Sequence, residues 1–458
     1  MFKKFTNGCV HLVNRYLPDP FIFCIILTII VFVAAIPATG ANPLVIIEQG
    51  WGGGVWSLLA FAMQMVLVLV LGNAMANAPV VKRIVAAIAS IAKSPKSAII
   101  VVTFFSTIAC WVNWGFGLVV GAILAKEIAR QVKGVDYRLL IAAAYSGFVV
   151  WHAGFSGSIP LTIATATTPE GTWAVGSYSH GVIPIGETIF SPWNLIICLI
   201  ILVVLPLLLA KIHPAPEETI TVDPALLEDD VVVFKKPETP AEKLEQSVVL
   251  SYIIVIAGII YLVKYFMKNG ANINLNTVNF IFLILGIACH KTPAAYVKAI
   301  EEATKGAAGI ILQFPFYAGI MGMMTFCLKD ADGAAIGGSL AGVISEFFVT
   351  ISNTITFSLF TFLSAGIVNF FVPSGGGQWT VQGPIMMPAG EKIGVDPAVT
   401  GMAIAWGDAW TNMVQPFWAL PALGIAGLSA RDIMGYCIIT LLFTGIVVCG
   451  GFVVVGLL

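Results

Sequence analysis

Four short polar runs interrupt the apolar stretches of this 458-residue chain. They are Trp111-Val112-Asn113-Trp114-Gly115, Gly154-Phe155-Ser156-Gly157-Ser158-Ile159-Pro160, Val372-Pro373-Ser374-Gly375-Gly376-Gly377-Gln378 and Asn412-Met413-Val414-Gln415-Pro416. Serine, asparagine and glutamine side chains offer neutral hydrogen bonds, and glycine lets backbone approach a ligand closely. Where such a run breaks a helix, freed N–H groups favour an anion and freed carbonyls can coordinate a cation. Asn113, Gly115, Ser156, Gly157 and Ser158 are read as one half of a binding site. Ser374, Gly375, Gly376, Gly377, Gln378, Asn412 and Gln415 are read as the other half. Asp408, within Trp406-Gly407-Asp408-Ala409-Trp410, lies a few residues before the last run. An acid inside an apolar segment is a functional candidate. Asp408 is read, with Asn113 and Asn412, as a place to couple a proton or another cation. The competing reading is an acid held by a hydrogen bond or by a lysine of another helix. His152 is either a proton relay or a satisfied buried histidine, and the second is the better reading.

These runs sit in a segment that occurs twice. Thr103-Phe104-Phe105-Ser106 is answered 258 residues later by Thr361-Phe362-Leu363-Ser364. Gly134-Val135-Asp136 is answered by Gly394-Val395-Asp396, and Ala143 to Gly147 by Ala403 to Gly407, both at an offset of 260. At that offset Phe148 faces Asp408 and His152 faces Asn412, so the chemistry is not duplicated with the frame. Repeated hydrophobic segments with matching interruptions point to a secondary transporter and its binding site.

The composition sets the solvent. Hydrophobic residues make up 58% of the chain and charged residues 10%, and the mean hydropathy is +0.95. A soluble domain carries about 25% charge, so the chain reads as an all-α polytopic membrane protein. The net charge of −1 argues against a nucleic-acid partner. The eight cysteines show no C-x-x-C spacing and suggest neither a disulfide framework nor a metal site. No Walker A pattern and no H-E-x-x-H occurs, which excludes the usual ATP-driven pump and zinc protease. No cofactor is expected beyond a coupling sodium ion or proton, and no enzyme activity.

Plain spans are expected at 21–39, 55–77, 192–210, 247–266, 277–290, 307–327 and 433–458. Lys3, Lys4 and Arg15 precede the first, which places the N-terminus in the cytoplasm. Basic residues flank 97–130 on both sides, so that stretch is expected to be a re-entrant hairpin entering from the cytoplasm. Residues 139–165 then form a broken transmembrane helix. The segment 212–246, with nine acids, three lysines and five prolines, is a hydrophilic cytoplasmic linker between an N-terminal repeat (1–211) and a C-terminal repeat (267–458). A connecting span at 247–266 follows the linker. The second copy is expected to hold a hairpin near 355–390 and a broken helix near 398–428. Corresponding elements are an odd number of crossings apart, so the repeat should be inverted, with the second hairpin entering from outside. Seven of the eleven tryptophans fall inside the two long apolar stretches 97–165 and 355–428. They anchor at the membrane interface or wall an apolar pocket for a short alkyl chain.

Several runs carry a family likeness. They include Tyr16-Leu17-Pro18-Asp19-Pro20, Asn113 to Gly121, Gly154 to Ser158, Gln313 to Gly319, Val372 to Gly377 with Gln382-Gly383-Pro384, and Gln415 to Pro421. Across nearly the whole chain the sequence resembles the bacterial short-chain fatty acid transporter (AtoE) family, within the wider ion transporter superfamily. The resemblance implies uptake of monocarboxylates such as butyrate or acetoacetate across the inner membrane. It also implies a scaffold plus a transport domain, a homodimer, cation-coupled symport and an elevator-like motion. By position, Asn113, Ser156, Ser158, Ser374 and Asn412 inherit the carboxylate- and cation-holding role. Transport of C4-dicarboxylates or other organic anions is the alternative within the fold. A passive channel is the alternative of another class.

Overall fold

A computed structural model describes residues 20–164, 183–223, 236–270, 275–328, 336–372 and 375–458, with Gly8, Leu227 and Asp330. Among these residues the regular structure is helical and no β-strand occurs. The longer helices are α1 (Pro20–Thr39), α2 (Leu59–Ala76), α3 (Pro79–Ala89), α4 (Pro95–Val112), α5 (Trp114–Gln131), α6 (Tyr137–Ser146), α7 (Ser158–Ile163), α8 (Pro192–Lys211), α9 (Val248–Asn269), α10 (Leu275–His290), α11 (Pro293–Thr304), α12 (Ala308–Thr325), α13 (Leu340–Thr350), α14 (Phe357–Phe371), α15 (Gly375–Ile393), α16 (Pro397–Thr411), α17 (Pro416–Ala426) and α18 (Ala430–Leu457). Among the described residues, five helical segments are long and apolar enough to cross a membrane, or up to seven if two bent pairs each count as one span. One bent pair is α2 with α3, at 81°, and the other α11 with α12, at 48°. The chain is therefore a polytopic membrane protein. The helices α3, α11 and α13 were not anticipated. They are short, and α3 and α11 carry the charges that hydropathy reads as loop.

Local chemistry sets where the broken helices begin. Gly134 and Gly394 both adopt positive φ, at 75° and 89°, which an L-residue with a Cβ rarely does. Two residues later Asp136 and Asp396 cap α6 and α16, accepting from Leu139 N–H (2.9 Å) and Ala398 N–H (2.7 Å). The repeated Gly-Val-Asp is thus a helix-start signal. The first copy has an extra constraint. The Ile220 N–H donates to the buried Asp136 carboxylate (2.9 Å), and Asp136 N–H donates to His213 Nε2 (3.0 Å), so the start of the linker is tied to the start of α6.

Two antiparallel helix pairs flank the broken helices. In α4–α5, Cys110 lies on Gly117 and Ser106 on Gly121, so the chain folds back at Asn113. In α14–α15, Gln378 Nε2 donates to the Ala365 carbonyl (2.8 Å) and Gln382 Nε2 to Ser364 Oγ (2.8 Å). The turn of this second pair contains Pro373 and Ser374, which lie outside the described residues.

The broken helices lean on the pairs through glycine. A Cβ at Gly147 would lie 2.6 Å from the Thr107 backbone nitrogen, and one at Gly407 would lie 2.3 Å from the Phe362 carbonyl oxygen. Both glycines hold the same repeat position, and both let backbones touch. The first broken helix departs from expectation. Its α geometry ends at Ser146, and a 3₁₀ segment runs from Gly147 to Ala153, well ahead of Ser156. Residues i and i+3 eclipse in a 3₁₀ helix. Phe148 and Trp151 accordingly stack, with centroids 5.6 Å apart and planes 7° apart.

The close approach at Gly407 gives a stability test. Gly407→Ala should cost about 1–3 kcal/mol through overpacking, seen as a lower Tm in detergent. Gly376→Ala, where a Cβ meets nothing within 4 Å, should leave Tm unchanged.

Candidate functional site

The first half of the site is built around Asn113. It ends α4 and caps α5, with extended backbone (φ −156°, ψ 120°) and its Oδ1 accepting from Phe116 N–H at 3.0 Å. The carboxyl end of one helix and the amino end of the next therefore meet at one residue. The break of the first broken helix is stitched to this tip. The Phe155 N–H donates to the Trp111 carbonyl (2.9 Å), and the Trp114 N–H donates to Ser156 Oγ (2.9 Å). A side chain at 154 would collide with the Trp111 carbonyl, so Gly154 is needed for the stitch. Gly115 and Gly157 are buried, and Ser158, the first residue of α7, is half-buried.

The second half centres on a buried pair. His152 Nδ1 lies 2.9 Å from Asp408 Oδ2, and both residues are at most 1% exposed. The Ile159 N–H donates to His152 Nε2 at 3.0 Å. This backbone bond assigns the tautomer: Nε2 carries no proton, so Nδ1 must carry it and donate to Asp408. Asp408 therefore accepts from a neutral imidazole and not from an imidazolium. Asp408 Oδ1 has no partner among the described residues. The acid is therefore held by a hydrogen bond from a histidine, and no lysine reaches it among the described residues.

Amides surround the pair. Asn369 Nδ2 donates to the Asp408 carbonyl (2.7 Å), to Thr411 Oγ1 (3.0 Å) and to Asn412 Oδ1 (2.7 Å). Tyr145 Oη donates to the Asn412 carbonyl (2.5 Å). Gln415, at the break before α17, is fully buried, and neither of its amide atoms has a partner among the described residues. Asn412 Nδ2, Asn369 Oδ1 and Gln378 Oε1 are likewise buried without partners. Leaving a buried polar atom unmade costs about 1–3 kcal/mol. These unpartnered amides make the breaks a candidate binding site.

The two halves meet at an imidazole. A Cβ on Gly375 would lie 2.7 Å from His152 Cε1, so the start of α15 rests on the His152 ring. Aromatic rings fill the remaining space. Trp151 stacks on His152 (4.0 Å), Trp114 meets Trp418 edge-on (5.3 Å), and Phe148 contacts both Trp114 and Trp418. These tryptophans pack the centre and do not anchor an interface. Trp111 instead borders an apolar cavity of about 200 Å³ with Val150, Leu195 and Leu202.

The structure thus groups Asp408, Asn412 and Gly375 around His152, and it joins Asn113 to Ser156 through Trp114. It does not bond Asn113 to Asp408 or Asn412, because the Asn113 side chain caps its own helix. Gln378 turns toward Ala365 and Gln382. Gly376 is exposed, and Gly377 falls in the first turn of α15. Asn369 and the partnership of His152 with Asp408 were missed. A signal for the first existed: Val112-Asn113 recurs as Val368-Asn369 at an offset of 256, two less than the offset used to align the copies.

Comparison with known proteins adds the biology. A sequence profile described as short chain fatty acid transporter matches residues 1–455. The chain belongs to that family. It is 46% identical over 450 residues to a protein of Escherichia coli (strain K12) named as a candidate short-chain fatty acid transporter, covering 98% of each chain. A similarly named protein of Haemophilus influenzae is 47% identical over 448 residues, covering 97% of this chain and 98% of its own. Among solved structures, the Alcanivorax borkumensis YdaH transporter covers 96% of this chain and 98% of its own length, at a TM-score of 0.44 and 16% identity. The family is one of transporters and not of enzymes.

The tautomer is directly observable. In ¹⁵N-histidine spectra at neutral pH, His152 and His213 should both appear as neutral rings protonated at Nδ1, and one of these two sets of signals should vanish in His152→Gln. An imidazolium signal from His152 would contradict the geometry.

Proposed function

We propose that this protein is a secondary transporter importing short-chain monocarboxylates, such as butyrate or acetoacetate, by symport with a cation across the bacterial inner membrane. One observation carries the reading. A buried carboxylate, Asp408, stands beside a neutral histidine and unpartnered amides at the place where the broken helices come together. A second carboxylate entering there would be repelled by the first. A sodium ion or proton bound at Asp408 and Asn412 removes that repulsion, and this makes substrate binding depend on the cation. No guanidinium is seen to hold the substrate, so its carboxylate is held by helix-end N–H groups and by Asn113, Ser156, Ser158 and Ser374. The apolar cavity at Trp111 suits a short alkyl tail.

In this reading the two repeats are inverted, with α4–α5 entering the membrane from the cytoplasm and α14–α15 from outside. The packing of Gly147 and Gly407 on matching residues supports a shared ancestry for the copies. A transport domain made of these elements moves against a scaffold of the remaining helices, in a homodimer.

Labelled butyrate uptake into proteoliposomes tests this. Accumulation should appear under an imposed sodium or proton gradient and be absent when no gradient is imposed. Asp408→Asn should still bind butyrate but no longer concentrate it, and Ser156→Ala should weaken uptake without unfolding. Equal accumulation by wild type and Asp408→Asn removes Asp408 from coupling. Equilibration without accumulation in wild type marks a channel. Displacement by succinate in place of butyrate marks a dicarboxylate carrier.

A further inference from the structure

Two polar side chains of α12, Gln313 and Tyr317, are buried outside the breaks. Gln313 is 4% exposed and Tyr317 1%. Neither Gln313 Oε1 nor Tyr317 Oη has a hydrogen-bond partner among the described residues. The two residues are four apart, so they share one face of the helix.

That face looks at α17. The two helices run antiparallel. A Cβ on Gly424 would lie 3.5 Å from the carbonyl oxygen of Gly306, just ahead of α12. One on Gly309 would lie 3.6 Å from Leu420 Cδ2 and 3.8 Å from Gln313 Nε2. Further along, the ring centroids of Phe314 and Phe417 are 4.5 Å apart, and those of Tyr317 and Phe417 are 5.1 Å apart. Tyr317 thus reaches the first turn of α17, beside the break at Gln415. The α17 residues on this face, Phe417, Leu420 and Gly424, offer no side-chain hydrogen bond. Gln415 is the polar side chain at that end, and its own amide atoms have no partner among the described residues. Packing alone would be served by leucine at 313 and phenylalanine at 317.

The chemistry these atoms call for is specific. Gln313 Oε1 accepts a hydrogen bond, and the Tyr317 hydroxyl can donate one. A carboxylate answers only the donor, and an alkyl chain answers neither. A hydroxyl answers both, donating to Gln313 and accepting from Tyr317. A site that hydrogen-bonds a substrate hydroxyl rejects the analogue lacking it, because the buried groups are then left unpaired. We propose that Gln313 and Tyr317 form a specificity wall of the substrate site, selecting a short carboxylic acid with a hydroxyl on its chain over the plain alkyl acid of the same length. The inference rests on the carboxylate-transport reading. The carboxylate stays at the helix ends of the breaks, and the hydroxylated carbon turns toward α12. A plain alkyl tail keeps the apolar cavity at Trp111.

Labelled butyrate and labelled 2-, 3- and 4-hydroxybutyrate test the wall. Each is measured for binding to purified protein by equilibrium dialysis and for uptake into proteoliposomes. At least one hydroxy isomer should bind about tenfold more tightly than butyrate. Tyr317→Phe and Gln313→Met should each cut that advantage to about threefold or less, and the double variant should abolish it. Tm in detergent should not fall, since each substitution removes an unpaired buried group. A wild type that accumulates butyrate and binds no hydroxy isomer more tightly overturns the wall and leaves the transport reading standing. A loss of affinity shared equally by the hydroxy acid and butyrate marks a structural role, and also overturns it. Binding of a hydroxy isomer that depends on Gln313 and Tyr317, without accumulation of any of the four acids, would sink the transport reading and keep the wall. Binding of none of the four overturns both.

Discussion

Asp408 is an acid buried in the interior of an apolar bundle, and the group facing it is a neutral imidazole. Ionising such an acid without an opposite charge costs several kcal/mol. The arrangement persists because neighbouring elements fix it from several sides. The Ile159 N–H holds the imidazole tautomer, and Trp151 stacks on the ring. Gly375 presses on the imidazole from α15, and Asn369 ties the Asp408 carbonyl to Thr411 and Asn412. Each contact comes from a different element, so the setting of the acid depends on the whole assembly of pairs and broken helices. In the proposed function, a cation at this place offsets the cost of ionising Asp408.

The fold serves this need by spending backbone regularity only where rings and glycines can absorb it. Non-helical backbone at membrane depth survives when it is buried in protein. The 3₁₀ segment from Gly147 brings Phe148 and Trp151 into register, and these rings close over the break with Trp114 and Trp418. Gly147, Gly154 and Gly407 bring neighbouring backbone within reach of the breaks.

Much of this was legible in the sequence for a physical reason. Hydropathy and duplicated motifs report on solvent and on local backbone, so the helical runs could be read directly, while Gly-Val-Asp was read only as a mark of the duplication and its role as a helix start came from the structure. Asp408 and Asn412 stood out because polar residues in apolar runs are expensive. What stayed hidden were the pairings. Asn369 escaped because its Asn-Phe-Phe context carries no glycine, and a two-residue change of register separates it from Asn113. His152 looked like a satisfied core residue, which is true of its hydrogen bonds, yet its partner is the buried acid. No periodicity brings residues 256 positions apart together; only the packing of α16 on the 3₁₀ segment does.

The central claim is that breaks from both copies line one binding site. Single cysteines at Ser158→Cys and Gly376→Cys, in a background lacking the eight native cysteines, can be labelled with a hydrophilic maleimide in the presence of rising butyrate. Slowed labelling at both positions, with the same half-maximal butyrate concentration, is the expected result. Protection at one position alone, or at neither in a background that still transports, would contradict a shared site.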